Sequence, residues 1–385
     1  MLRKLAKRAI KIITSNSYSP LNRIELDSKN MIQNVSFIKS KHTGFEVIPV
    51  LKGNAYGHGI EEVAKILNNA ECKYLAVDGY FEAASIRDIT KHRILVMGYI
   101  KPDNVKLLDV KKCSFVVQDI EGLRALGALS RRVNIHLEIN TGFNRLGLSS
   151  EELPEYLEVL KQQTNLELEG VMTHLADADN SHDETYDDRQ LELFDDSIEQ
   201  ILKAGFKPKL IHIAQTAGSP KIKSKYANAI RLGIGLYGIN PLEKDDRYFY
   251  ELKDLKPVLE LKSTVIKVLE LKKGDKVSYN CTYTATEPMR VGVLPLGYYE
   301  GVQRGLSNKG CAIADGRELP IVGRVCMNHT MINLKDTGLG VGSEVVVISK
   351  DSKLSNSVSS LQSIHGLFAY STLTGLSNSI RRVIR

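Results

Sequence analysis

Phe45-Glu46-Val47-Ile48-Pro49-Val50-Leu51-Lys52-Gly53-Asn54-Ala55-Tyr56-Gly57-His58-Gly59 opens the part of the chain whose reading decides the fold. A short, mostly apolar run (45–51) ends on a lysine, and three glycines follow within seven residues. Comparable runs recur at 74–77, 93–97, 114–117, 133–139, 166–173, 209–213 and 229–235. Between them, residues 60–67, 121–129, 154–162 and 190–202 space their apolar positions by three and four, the pattern of a helix packed along one face. This alternation predicts an α/β fold, a (β/α)8 TIM barrel. Its parallel strands are covered on both faces and therefore read as near-continuous apolar runs. Pro49 has no N–H for a strand ladder and marks a local irregularity in the first barrel strand. A strand at 23–26 and a helix at 31–38 precede it.

Past Pro241 the pattern changes. Residues 258–269, 276–279, 290–295, 311–314, 319–324, 329–334 and 343–348 read as strands, separated by turns such as Lys273-Gly274-Asp275 and Asp315-Gly316-Arg317. Helices are expected at 357–364 and 370–376. The predicted organisation is a basic leader (1–20), the barrel (21–245) and a mostly β C-terminal domain (246–385).

Composition bounds the function. The 385 residues are 43 % hydrophobic and 25 % charged, an ordinary balance for a globular protein with a sizeable core. Five of the seven net positive charges sit on Arg3, Lys4, Lys7, Arg8 and Lys11, so the remainder is close to neutral and offers no nucleic-acid groove. The first thirteen residues read as a loosely docked leader, with a basic amphipathic helix on anionic lipid as the alternative. They lack the apolar core and cleavage site of a secretory signal, and no apolar stretch has membrane-spanning length. Cys72, Cys113, Cys281, Cys311 and Cys326 are odd in number and form no CxxC, which fits the reducing cytoplasm. No Cys/His cluster has zinc-ligand spacing, so no metal is expected.

Barrel enzymes carry their chemistry at the C-terminal ends of the strands. Lys52 stands there, and a desolvated lysine can form a Schiff base with an aldehyde cofactor. The following glycines let the backbone approach a ligand closely. His174 ends the sixth strand, His212 lies in the seventh, Thr216 follows it, and Arg231 lies in the eighth. The loops after strands seven and eight are the usual phosphate cradle, with donors from the Thr216 hydroxyl and the Gly233 and Ile234 amides. Singly, each lysine or histidine reads as a solvated loop residue or a satisfied core residue. Five such groups gathered towards one rim read as a site.

Lys52 to Gly59 resembles the cofactor-lysine motif of the alanine racemases, fold-type III pyridoxal-phosphate enzymes. Thr141-Gly142-Phe143-Asn144-Arg145-Leu146-Gly147, Val277-Ser278-Tyr279, Leu294-Pro295-Leu296-Gly297-Tyr298, Gly323-Arg324-Val325-Cys326-Met327 and Tyr370 extend the resemblance, which runs from about Arg23 to the end. It implies a pyridoxal 5′-phosphate enzyme that interconverts L- and D-alanine, supplying D-alanine for peptidoglycan. Lys52 would hold the cofactor as a Schiff base and act as one base. Tyr279, from the partner in a head-to-tail homodimer, would act on the opposite face of the amino-acid substrate. His174 would hydrogen-bond Arg231, and Arg231 would face the pyridine nitrogen, which weakens the electron sink and limits transamination. Tyr56 and Tyr370 would hold the phosphate with Thr216, Gly233 and Ile234. Arg145 would meet the phenolic oxygen and help bind substrate, the Met327 amide would meet the substrate carboxylate, and Tyr298 with Tyr370 would narrow the entrance.

Some positions depart from that family's pattern. Glu138 stands where many members have a carbamylated lysine, and is expected to fix Arg145 by a charge-assisted hydrogen bond. Asn140 replaces Asp, Phe143 replaces Met, Thr216 replaces Ser, and Asn328 replaces Asp. The acids at 177–188 read as favourable charges before a helix at 190 rather than as a cation site. Three alternatives stand beside alanine racemisation. They are a serine or broad-specificity racemase, a pyridoxal-phosphate decarboxylase, and a non-catalytic cofactor-binding protein. A decarboxylase of this plan would place a carboxylate near the pyridine nitrogen and a cysteine at the second site, where this chain has Arg231 and Tyr279.

Overall fold

A computed structural model describes residues 19–180 and 182–385. The basic leader, apart from Ser19 and Pro20, lies outside the described residues. The described chain forms two compact units, one of Asp27–Val258 with Ile384, the other of 19–26, Leu259–Val383 and Arg385. Among the described residues no helix is long and apolar enough to cross a membrane.

The first strand, β1 (Asn22–Leu26), belongs to the second unit. The first unit is a parallel barrel of β2 (Glu46–Pro49), β3 (Tyr74–Val77), β4 (Arg93–Val96), β5 (Cys113–Val117), β6 (Val133–Glu138), β7 (Leu166–Met172), β8 (Leu210–His212) and β9 (Ala229–Leu232). Neighbours run β2-β9-β8-β7-β6-β5-β4-β3. Between β2 and β3 the backbone pairing among the described residues is the Val50–Ala76 bridge and the bond from Leu51 N to Ala76 O, 2.7 Å, with Glu46 Oε1 accepting from Lys73 N at 2.6 Å. Backbone N–H groups alternate sides along a strand. Val50 N donates to Leu232 O and Leu51 N to Ala76 O, so Pro49 falls on the β3 side, where it has no N–H to give. Pro49 therefore removes one donor from this seam.

Helices Ile60–Leu67, Ile120–Gly127, Leu153–Gln162 and Thr185–Lys203 cover the barrel. The first buries Val63, Ala64, Ile66 and Leu67, each large side chain contributing about 1.5–3 kcal/mol. Three connections carry 3-10 turns instead, at Pro102–Leu107, Ser219–Lys221 and Ile234–Tyr237. The long helix begins at Thr185, not 190, so Asp187 and Asp188 lie inside its first turn. Among the described residues no group of His, Cys, Asp and Glu is placed to hold a metal ion.

The barrel unit ends at Val258 rather than at 245 because Asn34, on helix Ser28–Lys41, ties down the following segment. Its side chain donates to Lys256 O at 2.9 Å and accepts from Lys256 N at 2.8 Å. Gly238 in that region has φ +81, and a Cβ there would lie 1.8 Å from Lys256 O, so only glycine fits.

The second unit is mostly β. The run expected as one strand at 258–269 is two, β10 (Leu259–Thr264) and β11 (Lys267–Leu271), in different sheets. The change of sheet is made within two residues, Val265 N bonding Ser343 O and Ile266 N bonding Val293 O. The apolar pattern runs on through this corner and conceals it. The remaining strands are β12 (Lys276–Val277), β13 (Tyr283–Thr284), β14 (Met289–Leu294), β15 (Cys311–Ala314), β16 (Arg317–Pro320), β17 (Thr330–Asn333), β18 (Glu344–Ile348) and β19 (Arg381–Ile384). One sheet has the order β16-β15-β18-β10-β1-β19, another β11-β14-β17, and β12 pairs with β13. Thus β1, expected before the first barrel strand, instead pairs antiparallel with β10.

Candidate active site

Directly after β2 the chain makes a left-handed helical turn. Gly53, Asn54, Ala55 and Tyr56 all have φ between 50 and 64. Non-glycine residues in this conformation cost roughly 1–2 kcal/mol each, so the turn must be held from outside. Glu82 does so, its Oε1 accepting from Gly53 N (2.8 Å) and Asn54 N (3.3 Å), its Oε2 from Asp78 N (2.9 Å). The Asn54 carboxamide caps the next helix by accepting from Ile60 N at 2.8 Å. The turn brings both Lys52 and Tyr56 to one cavity of about 230 Å³ inside the barrel unit.

Six of the expected residues line that cavity, namely Lys52, Tyr56, Arg145, His174, Arg231 and Gly233. Glu138 lines it too. Val50, Leu146 and Met172 add apolar wall, and Asp78, Met97, Gly98, Gln118 and Gln215 line it without having been singled out by the sequence reading. Asp78 follows β3 and Gln118 follows β5 directly, so the strand-end rule that located Lys52 would have found both.

Arg231 is buried and nearly saturated. Nη1 donates to His212 Nδ1 (2.9 Å) and His212 O (2.8 Å). Nη2 donates to Thr173 O (2.6 Å), His174 Nδ1 (3.0 Å) and Ile213 O (2.8 Å). A guanidinium cannot accept, which fixes the tautomers along a buried chain. His212 must carry its proton on Nε2, which faces His136 Nδ1 at 2.8 Å, and His136 Nε2 then donates to Glu169 Oε2 at 3.4 Å. Glu169 occupies a bulge between β6 and β7, and Gly170 beside it has no room for a Cβ, which would lie 2.4 Å from the His136 ring. Burial opposes ionisation of Glu169, but hydrogen bonds from His136 and Ser114 outweigh it and bring its pKa down to about 2. Burial lowers His136, with Glu169 opposing, and takes His212 well below the ordinary histidine value, so burial favours the neutral form of both rings. Burial also brings Arg231 down to about 10, with Glu138 opposing and Arg145 assisting.

Arg231 Nε alone has no protein partner among the described residues. His174, an acceptor to Arg231, is held down at about 2 by burial and by the charges of Arg231, Arg145 and Lys52. The Lys52 amine is likewise lowered, first by burial and further by Arg145 and Arg231, with Asp78 and Glu82 opposing. A lysine so placed gives up its proton more readily than an exposed one, which favours its use as a nucleophile.

The expected bond between Glu138 and Arg145 is absent. Glu138 instead accepts from Gln118 Nε2 at 3.3 Å, and the Arg145 guanidinium lies over the Phe143 ring, 4.2 Å from its centroid. A short carboxylate at the end of β6 does not reach an arginine whose side chain leans on an aromatic neighbour. The Arg145 loop itself is braced by Asn140, whose Oδ1 accepts from Gly142 N (3.2 Å) and Asn144 N (3.0 Å) while its Nδ2 donates to Asn144 Oδ1 (3.2 Å). The last bond needs an amide, which gives the Asn-for-Asp replacement a physical reason.

Gly233 forms a cradle at the other end of the cavity. A Cβ there would lie 3.0 Å from the Tyr56 hydroxyl and 3.9 Å from Thr216 Oγ1. Buried Thr216 accepts from Gly235 N at 3.1 Å, and Ile234 opens the 3-10 turn that follows.

Tyr279, Tyr298, Met327 and Tyr370 belong to the second unit. Tyr279 is 67 % exposed, on a loop where Ser278, Asn280 and Cys281 all have positive φ. Ser278 anchors it by donating to Arg324 O at 2.7 Å. Tyr298 N donates to Cys326 O and Tyr299 N to Met327 O, both at 3.0 Å, so Tyr298 and Met327 sit on paired loops. Asn328 Nδ2 donates to Glu300 Oε1 at 2.8 Å in the same region, a bond that an aspartate could not make. Tyr370 stacks on Phe368 with ring centroids 4.9 Å apart.

Comparison with known proteins agrees with this architecture. Residues 26–241 match the family described as alanine racemase, N-terminal domain, and residues 258–384 match alanine racemase, C-terminal domain. The alanine racemase of Carboxydothermus hydrogenoformans is 33 % identical over 93 % of this chain and 98 % of its own length. The crystal structure of the Bacillus anthracis alanine racemase with bound L-Ala-P superposes with a TM-score of 0.86 at 30 % identity, covering 96 % of each chain. That of the Bartonella henselae enzyme with covalently bound pyridoxal phosphate has a TM-score of 0.80 at 20 % identity, covering 95 % of this chain and all of that one, a likeness of fold. Two domains matched in order across nearly the whole described chain make this protein a member of the alanine racemase family.

Proposed function

We propose that this chain interconverts L- and D-alanine with pyridoxal 5′-phosphate held in the barrel cavity. The observation that carries the reading is Arg231, fixed through both terminal nitrogens yet left with one N–H unpartnered among the described residues, on the same cavity as the lowered amine of Lys52. That N–H fits an acceptor such as a pyridine nitrogen. Lys52 fits an aldehyde. Gly233, Tyr56 and Thr216 frame a cradle that fits a phosphate, with Ile234 beside it. When bound, the cofactor supplies an electron sink for the charge that develops at the substrate α-carbon.

The chain's own residues supply the rest. Lys52 Nζ holds or takes the α-proton on one face. The partner subunit's Tyr279 returns a proton to the opposite face, within a head-to-tail homodimer, and the exposure of this loop supports that use. Two bases on opposite faces are what inversion requires. Arg231, unable to give up its proton near neutral pH, orients the ring nitrogen without protonating it. His174 keeps Arg231 in place by accepting from it. Arg145 and the Met327 amide hold anionic oxygens, and Tyr298 limits side-chain size. The product D-alanine supplies peptidoglycan, and the reaction takes place in the cytoplasm.

The test is α-proton exchange in deuterated water over a panel of L-amino acids, with chiral analysis of the products. D-alanine forming fastest is the expected result. Faster D-serine or D-lysine moves the substrate assignment, and absence of both exchange and D-product removes the enzymatic reading.

A further inference from the structure

Arg145 is the one cavity arginine with no hydrogen bond or ion pair among the described residues, although Glu138 lines the same wall. Its guanidinium carbon lies 4.2 Å from the centroid of the Phe143 ring. That ring is itself fixed from another direction by His174, edge-on at 5.1 Å and 79°. His174 in turn accepts from Arg231 at 3.0 Å. The order is therefore Arg231, His174, Phe143, Arg145, with hydrogen bonding at one end and ring stacking at the other.

The two kinds of contact differ in what they leave available. A carboxylate partner would occupy in-plane N–H donors of Arg145, whereas an aromatic ring attracts the cation through its quadrupole and occupies none. The loop beneath is braced by Asn140 and by Tyr186, whose hydroxyl donates to Gly142 O at 2.8 Å, so the freedom left to Arg145 is in its side chain. An exposed arginine side chain carries about 2 kcal/mol of rotamer entropy, which a ligand anion must otherwise overcome.

We propose that Phe143 is the positioning residue of Arg145, an aromatic rest that aims the guanidinium into the cavity while keeping every N–H free for anionic oxygens. The inference rests on the cofactor reading above and names how one of its contacts is prepared. Phe143 touches no reacting atom; it acts through Arg145.

The experiment uses purified holoenzyme and its cofactor-depleted form, as wild type and as Phe143→Leu, Phe143→Tyr, Arg145→Ala and the Phe143→Leu/Arg145→Ala double variant. Equilibrium dialysis gives the dissociation constant for pyridoxal 5′-phosphate, and absorbance reports the environment of the bound cofactor. Phe143→Leu keeps an apolar side chain but loses the π face, and is expected to weaken cofactor binding about twofold to fivefold, as a cation–π contact of an exposed arginine predicts. It should also shift the absorbance maximum and raise KM more than it lowers kcat. Phe143→Tyr should restore all three. In the Arg145→Ala background, Phe143→Leu should have no further effect. Wild-type values in Phe143→Leu, failure of Phe143→Tyr to rescue, or additive losses in the double variant would overturn the inference while leaving the functional reading in place. A wild-type protein without cofactor affinity or racemisation would overturn both.

Discussion

Two arginines reach the same cavity and are built in opposite ways. Arg231 is buried in the barrel, and five contacts saturate its two terminal nitrogens. Arg145 stands on the rim loop, exposed, with a ring under it and no acceptor among the described residues. The first is part of the fold and cannot move without breaking it. The second is supported but uncommitted. The contrast teaches that a cavity of this kind separates a fixed field, set by buried polar groups before any ligand arrives, from a grip that forms only around the ligand.

Stability measurements test that contrast most directly. Arg231→Leu takes the donors from His212 Nδ1, His174 Nδ1 and the Thr173 and Ile213 carbonyl oxygens, while His212 O keeps its bond from Thr173 N, and is expected to destabilise the cofactor-free protein by roughly 3–5 kcal/mol. Arg145→Leu removes no hydrogen bond among the described residues, only the contact with the Phe143 ring, and should cost no more than about 1 kcal/mol. Urea unfolding of both variants decides it, since equal losses would erase the distinction. Both substitutions are expected to depress kcat/KM, so activity alone cannot separate them.

The far end of the Arg231 chain offers a second test, through pH. Glu169 has a folded-state pKa of about 2 against an ordinary 4.5. Because the folded value is the lower one, its contribution is fully present above pH 4.5 and is lost as pH falls towards 2. The amount is on the order of 3 kcal/mol. Glu169→Gln should flatten that acid limb while losing stability at neutral pH. An unchanged acid limb would mean that Glu169 is not the hub of the chain.

The fold was legible because a parallel barrel buries both faces of each strand, and eight apolar runs at regular intervals express that directly. The ends of the barrel unit were not. Asn34 holding residue 256, and β1 pairing with β10, join positions more than two hundred residues apart, which no local pattern encodes. At the site, strand-end residues such as Lys52 and His174 were found by position. His136 and Glu169 passed as ordinary strand residues, because what makes them a chain is a bulge beside Gly170 and neighbours on three strands. Glu138 misled for a related reason. Charge complementarity suggested a partner for Arg145, but the partner is decided by reach, and an aromatic ring two residues away is nearer.

Lys52 senses both kinds of arginine, so its titration is a finer probe. Burial lowers the amine, Asp78 opposes, and Arg145 and Arg231 add to the lowering. In cofactor-depleted protein, the rate at which borohydride traps an added aldehyde on Lys52 should fall as pH drops through that lowered pKa, below the ordinary lysine range. Removing the positive charge in Arg145→Leu should move the midpoint upward, and removing the negative charge in Asp78→Asn should move it downward. Shifts of the same sign would show that the two side chains do not act on Lys52 as opposing charges.

The smallest expected effect lies in the loop under Arg145. Asn140 accepts two backbone N–H bonds and donates one to Asn144 Oδ1. Asn140→Asp keeps the acceptors, loses the donor and sets two oxygens against each other at 3.2 Å. The cost should be about 1 kcal/mol of stability. If the freedom of Arg145 lies in its side chain and not in its backbone, kcat/KM should fall by less than about fivefold, because the two remaining bonds still hold the loop. A much larger loss of activity with the same loss of stability would place the adaptable element in the loop itself. The aromatic rest on Phe143 would then be secondary to the brace that carries it.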